Sequence, residues 1–212
     1  MDGNNRWSKI NNKDKYFAYK KGAKKLITIS DYIFKNYKIN NISAFALSRD
    51  NLNRSTKALQ NIFNVLNDIL DIYPTLEKNL FKIKFIGDLN FLSADIKNKI
   101  INLENKNFSI KKTLFIFFNY SGQDEIIKLT KKKLVSKKLS KEFINNNLQP
   151  KNIPFPDILI RTGGFQRISN FMLFQIAFTE LFFLKKLWPD ISKSDIDKVI
   201  NKYNLIERKF GN

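Results

Sequence analysis

The chain has 212 residues, no cysteine and no histidine, and 38 Lys plus Arg against 19 Asp plus Glu, a formal net charge of +19. That length suits one domain with a substantial core and holds no eighteen-residue apolar run, while the missing residue types exclude disulfides, thiolate sites and the commonest general base. The lysines are spread along the chain, with one block at Lys131-Lys132-Lys133, so no nucleic-acid partner is expected; the charge would rather draw in diphosphates or an anionic membrane face.

Met1-Asp2-Gly3-Asn4-Asn5-Arg6-Trp7 opens the chain as a polar loop with no strand before it. A helix is predicted over 13–37, with Phe17, Leu26, Ile29, Ile33 and Phe34 on one side and Gly22 permitting close packing. Residues 40–47 read as a strand running into Ser48-Arg49-Asp50-Asn51-Leu52-Asn53-Arg54, a polar loop and a second candidate site element. The helix predicted over 55–73 carries Leu59, Ile62, Leu66, Ile69 and Tyr73 on one face, which suits core packing and ligand lining alike. Strands over 82–86 and 113–118 end in polar turns, and helices are predicted over 93–103, 123–134, 139–148 and 192–208, with one more short strand over 181–184. Alternating elements predict an α/β fold: a single domain over 1–212, with a mainly parallel central sheet and helices on both faces.

The stretch 156–190 organises the rest. Asp157-Ile158-Leu159-Ile160 reads as a buried strand that stops at Arg161-Thr162-Gly163-Gly164, and Ser169 stands where a helix N-cap would precede the apolar run 171–178. Arg161 and Arg167 flank the glycine turn in a chain that otherwise uses Lys for most of its positive charge. Arginine binds phosphate bidentately where lysine acts as a point charge, and free amides at a helix start favour an anion. A phosphate site and an ordinary strand-turn-helix with surface arginines are both consistent with the pattern.

RTGG-x-x-R-x-SNF from Arg161, Gln175-x-Ala177-Phe178-x-Glu180-Leu181-x-Phe183 and Leu187-Trp188-Pro189-Asp190 resemble the motifs of the cis-prenyltransferases, specifically the bacterial undecaprenyl diphosphate synthases. The opening MDGN-x-RW resembles the first motif of that family, and Ser48 to Arg54 its F-S-x-E-N-W-x-R stretch, with Asp50 and Leu52 departing from Glu and Trp. In the family an apolar strand leads into the first motif. Either the true start lies upstream or the central sheet lacks its first strand.

The resemblance implies a Mg²⁺-dependent, cytoplasmic and membrane-contacting homodimer. Its implied reaction is successive condensation of isopentenyl diphosphate onto an allylic primer such as farnesyl diphosphate, towards undecaprenyl diphosphate, the lipid carrier precursor of cell-wall synthesis. It implies Asp2 and Asn51 as catalytic residues, with Asp2 and Glu180 as metal ligands. Gly3, Asn4, Asn5 and Arg6 would cradle the allylic diphosphate, with Lys15 and Arg54 adding charge, and Trp7, Tyr19, Ser48, Arg49, Asp50 and Leu52 would be further substrate-binding positions. Arg161, Arg167, Ile168 and Ser169 would serve isopentenyl diphosphate. Trp7, Phe45, Ala46 and Leu47 would form the mouth of a tunnel, which Phe117 and Phe118 would narrow towards a shorter product. Departures include Lys15 for Arg, Tyr19 for His, Asn5 for Gly, Phe165 for Glu, Gln123 for Arg and Lys209 for Arg. A non-catalytic subunit of the same fold, or a basic surface-binding protein, are the alternatives. The prenyl-transfer reading requires the opening loop and the glycine corner to face one another across one crevice, with Glu180 near Asp2.

Overall fold

Within the residues described by this computed structural model, 1–53, 55–73, 81–106, 111–133 and 140–207, seven helices alternate with five strands. In chain order they are α1 (Asn4–Ile10), α2 (Lys15–Asn36), β1 (Asn41–Ser48), α3 (Thr56–Ile72), β2 (Lys82–Ile86), α4 (Ala94–Asn105) and β3 (Thr113–Tyr120). Then follow α5 (Gly122–Lys133), α6 (Lys141–Asn147), β4 (Ile158–Arg161), β5 (Glu180–Phe183) and α7 (Lys193–Asn204). Arg54 and Lys209 lie outside the described residues.

All strand pairing is parallel, as the alternation implied, but the strands form two sheets: β1-β3-β2, and the pair β4-β5. No strand precedes α1 among the described residues, and β1 and β4 are each paired on one side only.

β3 is central because all eight of its residues, TLFIFFNY, are buried, as a strand covered on both faces requires. Its side chains alternate between two cores with the period of two that a strand imposes. Leu114, Ile116 and Phe118 join Leu26, Ile29, Leu66, Leu103, Ile196 and Ile200 from the helices on one face. Phe115 and Phe117 join Tyr120, Met172 and Ile176 on the other.

α2, α4, α6 and α7 begin where capping side chains satisfy first-turn amides. The Asp14 carboxylate accepts from Phe17 N at 2.6 Å, and Ser192 with Asp195 forms a reciprocal capping box at the start of α7.

Two local expectations give way. The opening loop is a short helix, α1, with Gly3 ahead of it at φ 105°. Residues 171–178 form no helix; Ser169, Asn170 and Met172 all have positive φ, so no helix start is available there for an anion. Tertiary contacts override the apolar run. The Asn170 side chain accepts from Gln123 N at 2.9 Å and donates to Ser121 Oγ at 2.9 Å, while Phe171 stacks on Phe45 and meets Phe117 edge-on.

Candidate active site

Asp2 is the hub where the two ends of the chain meet. Its amide donates to Thr162 Oγ1 at 2.9 Å, and that hydroxyl donates to the Asp2 carbonyl at 3.0 Å. Trp188 N donates to the same carbonyl at 3.0 Å. Thr162 is buried and anchors Asp2 twice. Its place within Arg-Thr-Gly-Gly was the one sequence signal for that role, and composition or periodicity could not have revealed it.

The glycine corner then closes on the opening residues. Gly163 and Gly164 have φ 88° and 81°, and their amides donate to Lys186 O at 2.8 Å and Leu184 O at 2.9 Å. A Cβ on Gly163 would stand 2.4 Å from Arg6 Nη2, so any side chain there would displace the Arg6 guanidinium. The expected facing of the two motifs is therefore present.

Arg161 Nη2 donates to Asp2 Oδ2 at 2.9 Å, and its Nη1 donates to Ser169 Oγ at 2.6 Å and to the Arg167 carbonyl. Arg6 Nη2 lies 3.7 Å from Asp2 Oδ1. Burial pushes the Asp2 carboxyl up. The hydrogen bond and charge of Arg161, the Gly3 amide and the charge of Arg6 outweigh it and hold the group below its ordinary value. Asp2 is thus a fixed anion at neutral pH. Arg6 Nη2, Arg161 Nε and Asn4 Oδ1 are buried side-chain atoms without a hydrogen-bond partner, and buried polar atoms of that kind mark places where a ligand can supply the bond.

These groups border a cavity of about 1320 Å³, larger than the roughly 300–1,000 Å³ of a typical small-ligand pocket. Gly3, Asn4, Asn5, Arg6, Tyr19, Arg161, Arg167, Ile168 and Ser169 all line it. Tyr19 donates from its hydroxyl to Asn5 Oδ1 at 2.7 Å. Ser48, Asp50 and Asn51 line it from the end of β1 and the 3₁₀ turn Arg49–Asn53. The rest of the wall is apolar: Leu26 and Ile29 of α2, Ile62, Leu66 and Ile69 of α3, and Phe118 of β3. The cavity also borders two of the four strands paired on one side only, β1 and β4.

Other expected residues lie elsewhere. Trp7 is buried against Phe17 at 6.2 Å between ring centroids, with its Nε1 donating to Asp190 at 2.7 Å. Lys15 is exposed at the start of α2. Arg49 Nη1 turns to Asp124 of α5 at 2.8 Å, and Leu52 packs on the main core. Of the expected tunnel mouth, Phe45 and Ala46 line the cavity, whereas Leu47 is in the main core. Phe118 lines the wall, but Phe117 faces the second core.

Glu180 is not brought to Asp2 within one chain, so of the two placements required of the prenyl-transfer reading the facing of the motifs is met and the pairing of these carboxylates is not. Glu180 opposes Ile158 at the start of the β4–β5 pair, about 10 Å along the strands from the level of Arg161. Among the described residues no three acidic side chains gather into a metal cage.

The sequence profile of the family described as "Putative undecaprenyl diphosphate synthase" matches residues 1–211. The chain belongs to the cis-prenyltransferase family. The curated relatives of this cis-prenyltransferase include an isoprenyl transferase of Rickettsia bellii, 38% identical over 100% of this chain and 95% of the relative. A tritrans,polycis-undecaprenyl-diphosphate synthase (geranylgeranyl-diphosphate specific) of Pyrobaculum aerophilum is 36% identical over 99% of this chain and 92% of the relative. Among solved structures, lavandulyl diphosphate synthase of Lavandula x intermedia, in complex with dimethylallyl diphosphate, has a TM-score of 0.91 at 25% identity, over 100% of this chain and 95% of that one. A probable undecaprenyl diphosphate synthase of Campylobacter jejuni has a TM-score of 0.79 at 30% identity, over 91% and 92%. The cis-prenyltransferase is therefore an enzyme of cis-prenyl chain elongation.

Proposed function

We propose that this cis-prenyltransferase condenses isopentenyl diphosphate onto an allylic diphosphate of the farnesyl type, repeatedly, within one amphiphilic cavity. The observation that carries this reading is the union of a polar cluster (Asp2, Arg6, Arg161, Arg167, Ser169) with an apolar wall in one cavity. A prenyl diphosphate has the same two-part chemistry.

In each round the carbon–oxygen bond to the allylic diphosphate breaks, a carbon–carbon bond forms to the isopentenyl unit, and one proton leaves. Arg161, Arg167 and Ser169 hold the isopentenyl diphosphate, and Gly3 to Arg6 hold the allylic one. Each charge-assisted hydrogen bond contributes about 1.5–3 kcal/mol. Asn51 is an amide and a poor base; it orients the isopentenyl unit and passes its proton towards the departing diphosphate. Asn51→Ala with unchanged turnover would end that assignment.

Asp2 fits Mg²⁺, which is commonly held by one or two carboxylates together with substrate phosphates and water. When bound, Mg²⁺ neutralises charge on the diphosphates. Glu180, the other expected ligand, stands at the far end of β5 from Asp2 within one chain.

The growing tail gains roughly 0.8 kcal/mol per buried CH₂, so each five-carbon unit favours retention over release. Phe118 on the wall supports a product shorter than C55. Phe178 and Leu181, 69% and 43% exposed beside β5, offer a second copy of the chain an apolar face to cover in a homodimer. No helix among the described residues is long and apolar enough to cross a membrane; contact with a bilayer would be peripheral and favoured by the +19 charge.

Incubation with labelled isopentenyl diphosphate, farnesyl diphosphate and Mg²⁺ tests the reading. The expected result is label in an organic-soluble polyprenyl product. Absence of incorporation at any primer concentration would leave a non-catalytic member of the fold.

A further inference from the structure

Phe165 follows the double-glycine corner at the cavity mouth and is 39% exposed. Three guanidinium groups surround its ring: Arg167 at 4.2 Å, Arg6 at 4.7 Å and Arg161 at 5.9 Å from guanidinium carbon to ring centroid. Half of the chain's six arginines thus converge on one phenyl group.

Like charges this close repel, and Asp2 is the sole carboxylate that pairs with any of the three among the described residues, with Arg161 and Arg6. The Arg167 backbone is tied to Arg161 through its carbonyl, but its guanidinium needs another attraction to stay in the group. A carboxylate could do so, but it would occupy the N–H donors that a phosphate needs. An aromatic ring attracts the cation through its quadrupole and accepts no conventional hydrogen bond. It gathers the charges without itself taking up N–H donors, of which Arg161 already gives three to Asp2, Ser169 and the Arg167 carbonyl while Arg6 Nη2 has no hydrogen-bond partner. The two glycines permit this placement: Gly163 gives Arg6 the room to reach the ring, since any Cβ there would collide with Arg6 Nη2.

We propose that Phe165 is a positioning residue that assembles Arg6, Arg161 and Arg167 into a single clamp for the diphosphate group. The proposal rests on the prenyl-diphosphate reading for its natural ligand, but the clamp itself recognises inorganic diphosphate. Arg6 belongs to the allylic side and Arg161 with Arg167 to the isopentenyl side, so the ring also ties the two halves of the site together.

The test is titration calorimetry of inorganic diphosphate into the full chain and into Phe165→Leu, Phe165→Met, Phe165→Tyr and Phe165→Trp, with thermal melts confirming that each variant is folded. The aliphatic variants are expected to bind about tenfold more weakly, and the aromatic ones within about twofold of the parent, as loss or retention of cation–π attraction at a part-exposed site predicts. In steady-state kinetics the loss should fall on KM for both the isopentenyl and the allylic diphosphate more than on kcat, a split that a general packing defect would not produce. Equal affinity in all five proteins would overturn the proposal, as would a parent chain that binds no diphosphate. Ring-dependent diphosphate binding with no labelled product would uphold the clamp and overturn the condensation reading instead.

Discussion

The two halves of the cavity are built by different physics. Its polar mouth is assembled from the chain's opening residues and the corner after β4, held by a few specific hydrogen bonds around Asp2. Its apolar wall comes from regular elements, α2, α3 and β3, whose faces are continuous with the main core. The mouth depends on individual donors at fixed distances; the wall depends on volume. Single substitutions should therefore separate them, with chemistry failing at the mouth and stability or product size changing at the wall.

The largest effect is expected from Arg161→Ala. It removes the partner of Asp2, the bond to Ser169 and the link to the Arg167 carbonyl. Losing these three charge-assisted bonds should lower kcat/KM by at least about a hundredfold, roughly 3 kcal/mol, while circular dichroism stays that of the parent. On the wall, Leu66→Ala removes a side chain that is buried in the core and borders the cavity. It should cost about 2–3 kcal/mol in urea unfolding, at the low end for core truncations because part of the lining already faces space. Its effect on turnover should be much the smaller of the two. If Leu66→Ala cut the rate as deeply as Arg161→Ala, the mouth and wall would not be separable.

Gly163→Ala sharpens the contrast from within the mouth. A left-handed φ of 88° costs an L-residue about 1–2 kcal/mol, and the new methyl must displace Arg6. Activity should fall about tenfold or more, with most of it in substrate affinity; full activity would mean that Arg6 is not placed by the corner.

The smallest effect lies outside both halves, at the α7 cap. Burial raises the Asp195 carboxyl, but its bonds to Lys186 and Ser192 outweigh this and lower it to about 2 from 3.8. A depressed folded value contributes stability that is complete above pH 3.8 and lost as pH falls through about 2. The stability gap between parent and Asp195→Asn, of about 1 kcal/mol for a cap, should therefore be full at neutral pH and vanish in that acid window, as read by urea midpoints. A gap independent of pH would show that the carboxylate is not the source.

How much of this was legible from residues alone follows the same division. The strand at 82–86 and the start of the strand at Thr113 were readable because their burial pattern is written locally, in alternating or continuous apolar residues. The helix faces of α2 and α3 were readable from their 3.6-residue period, except at Phe17, which is exposed and stacks on Trp7. The mouth was legible only as a set of residue types. Residues 171–178 carry a helical run of apolar side chains, yet Asn170 is committed to the start of α5 and Phe171 to the ring cluster with Phe45 and Phe117. Long-range contacts decide that segment, and no local propensity reports them. Glu180 came in through the motif resemblance, which carries no information on strand register; the register sets it opposite Ile158. The division of the strands into two sheets is likewise a property of which edges meet.

The most direct measurement is mass spectrometry of the polyprenyl products made by the parent, Arg161→Ala and Phe118→Ala under one set of conditions. A clamp joined to a size-setting wall predicts that Arg161→Ala makes little product of unchanged chain length, while Phe118→Ala makes longer chains than the parent. Identical length distributions from Phe118→Ala and the parent, or undiminished synthesis by Arg161→Ala, would contradict it.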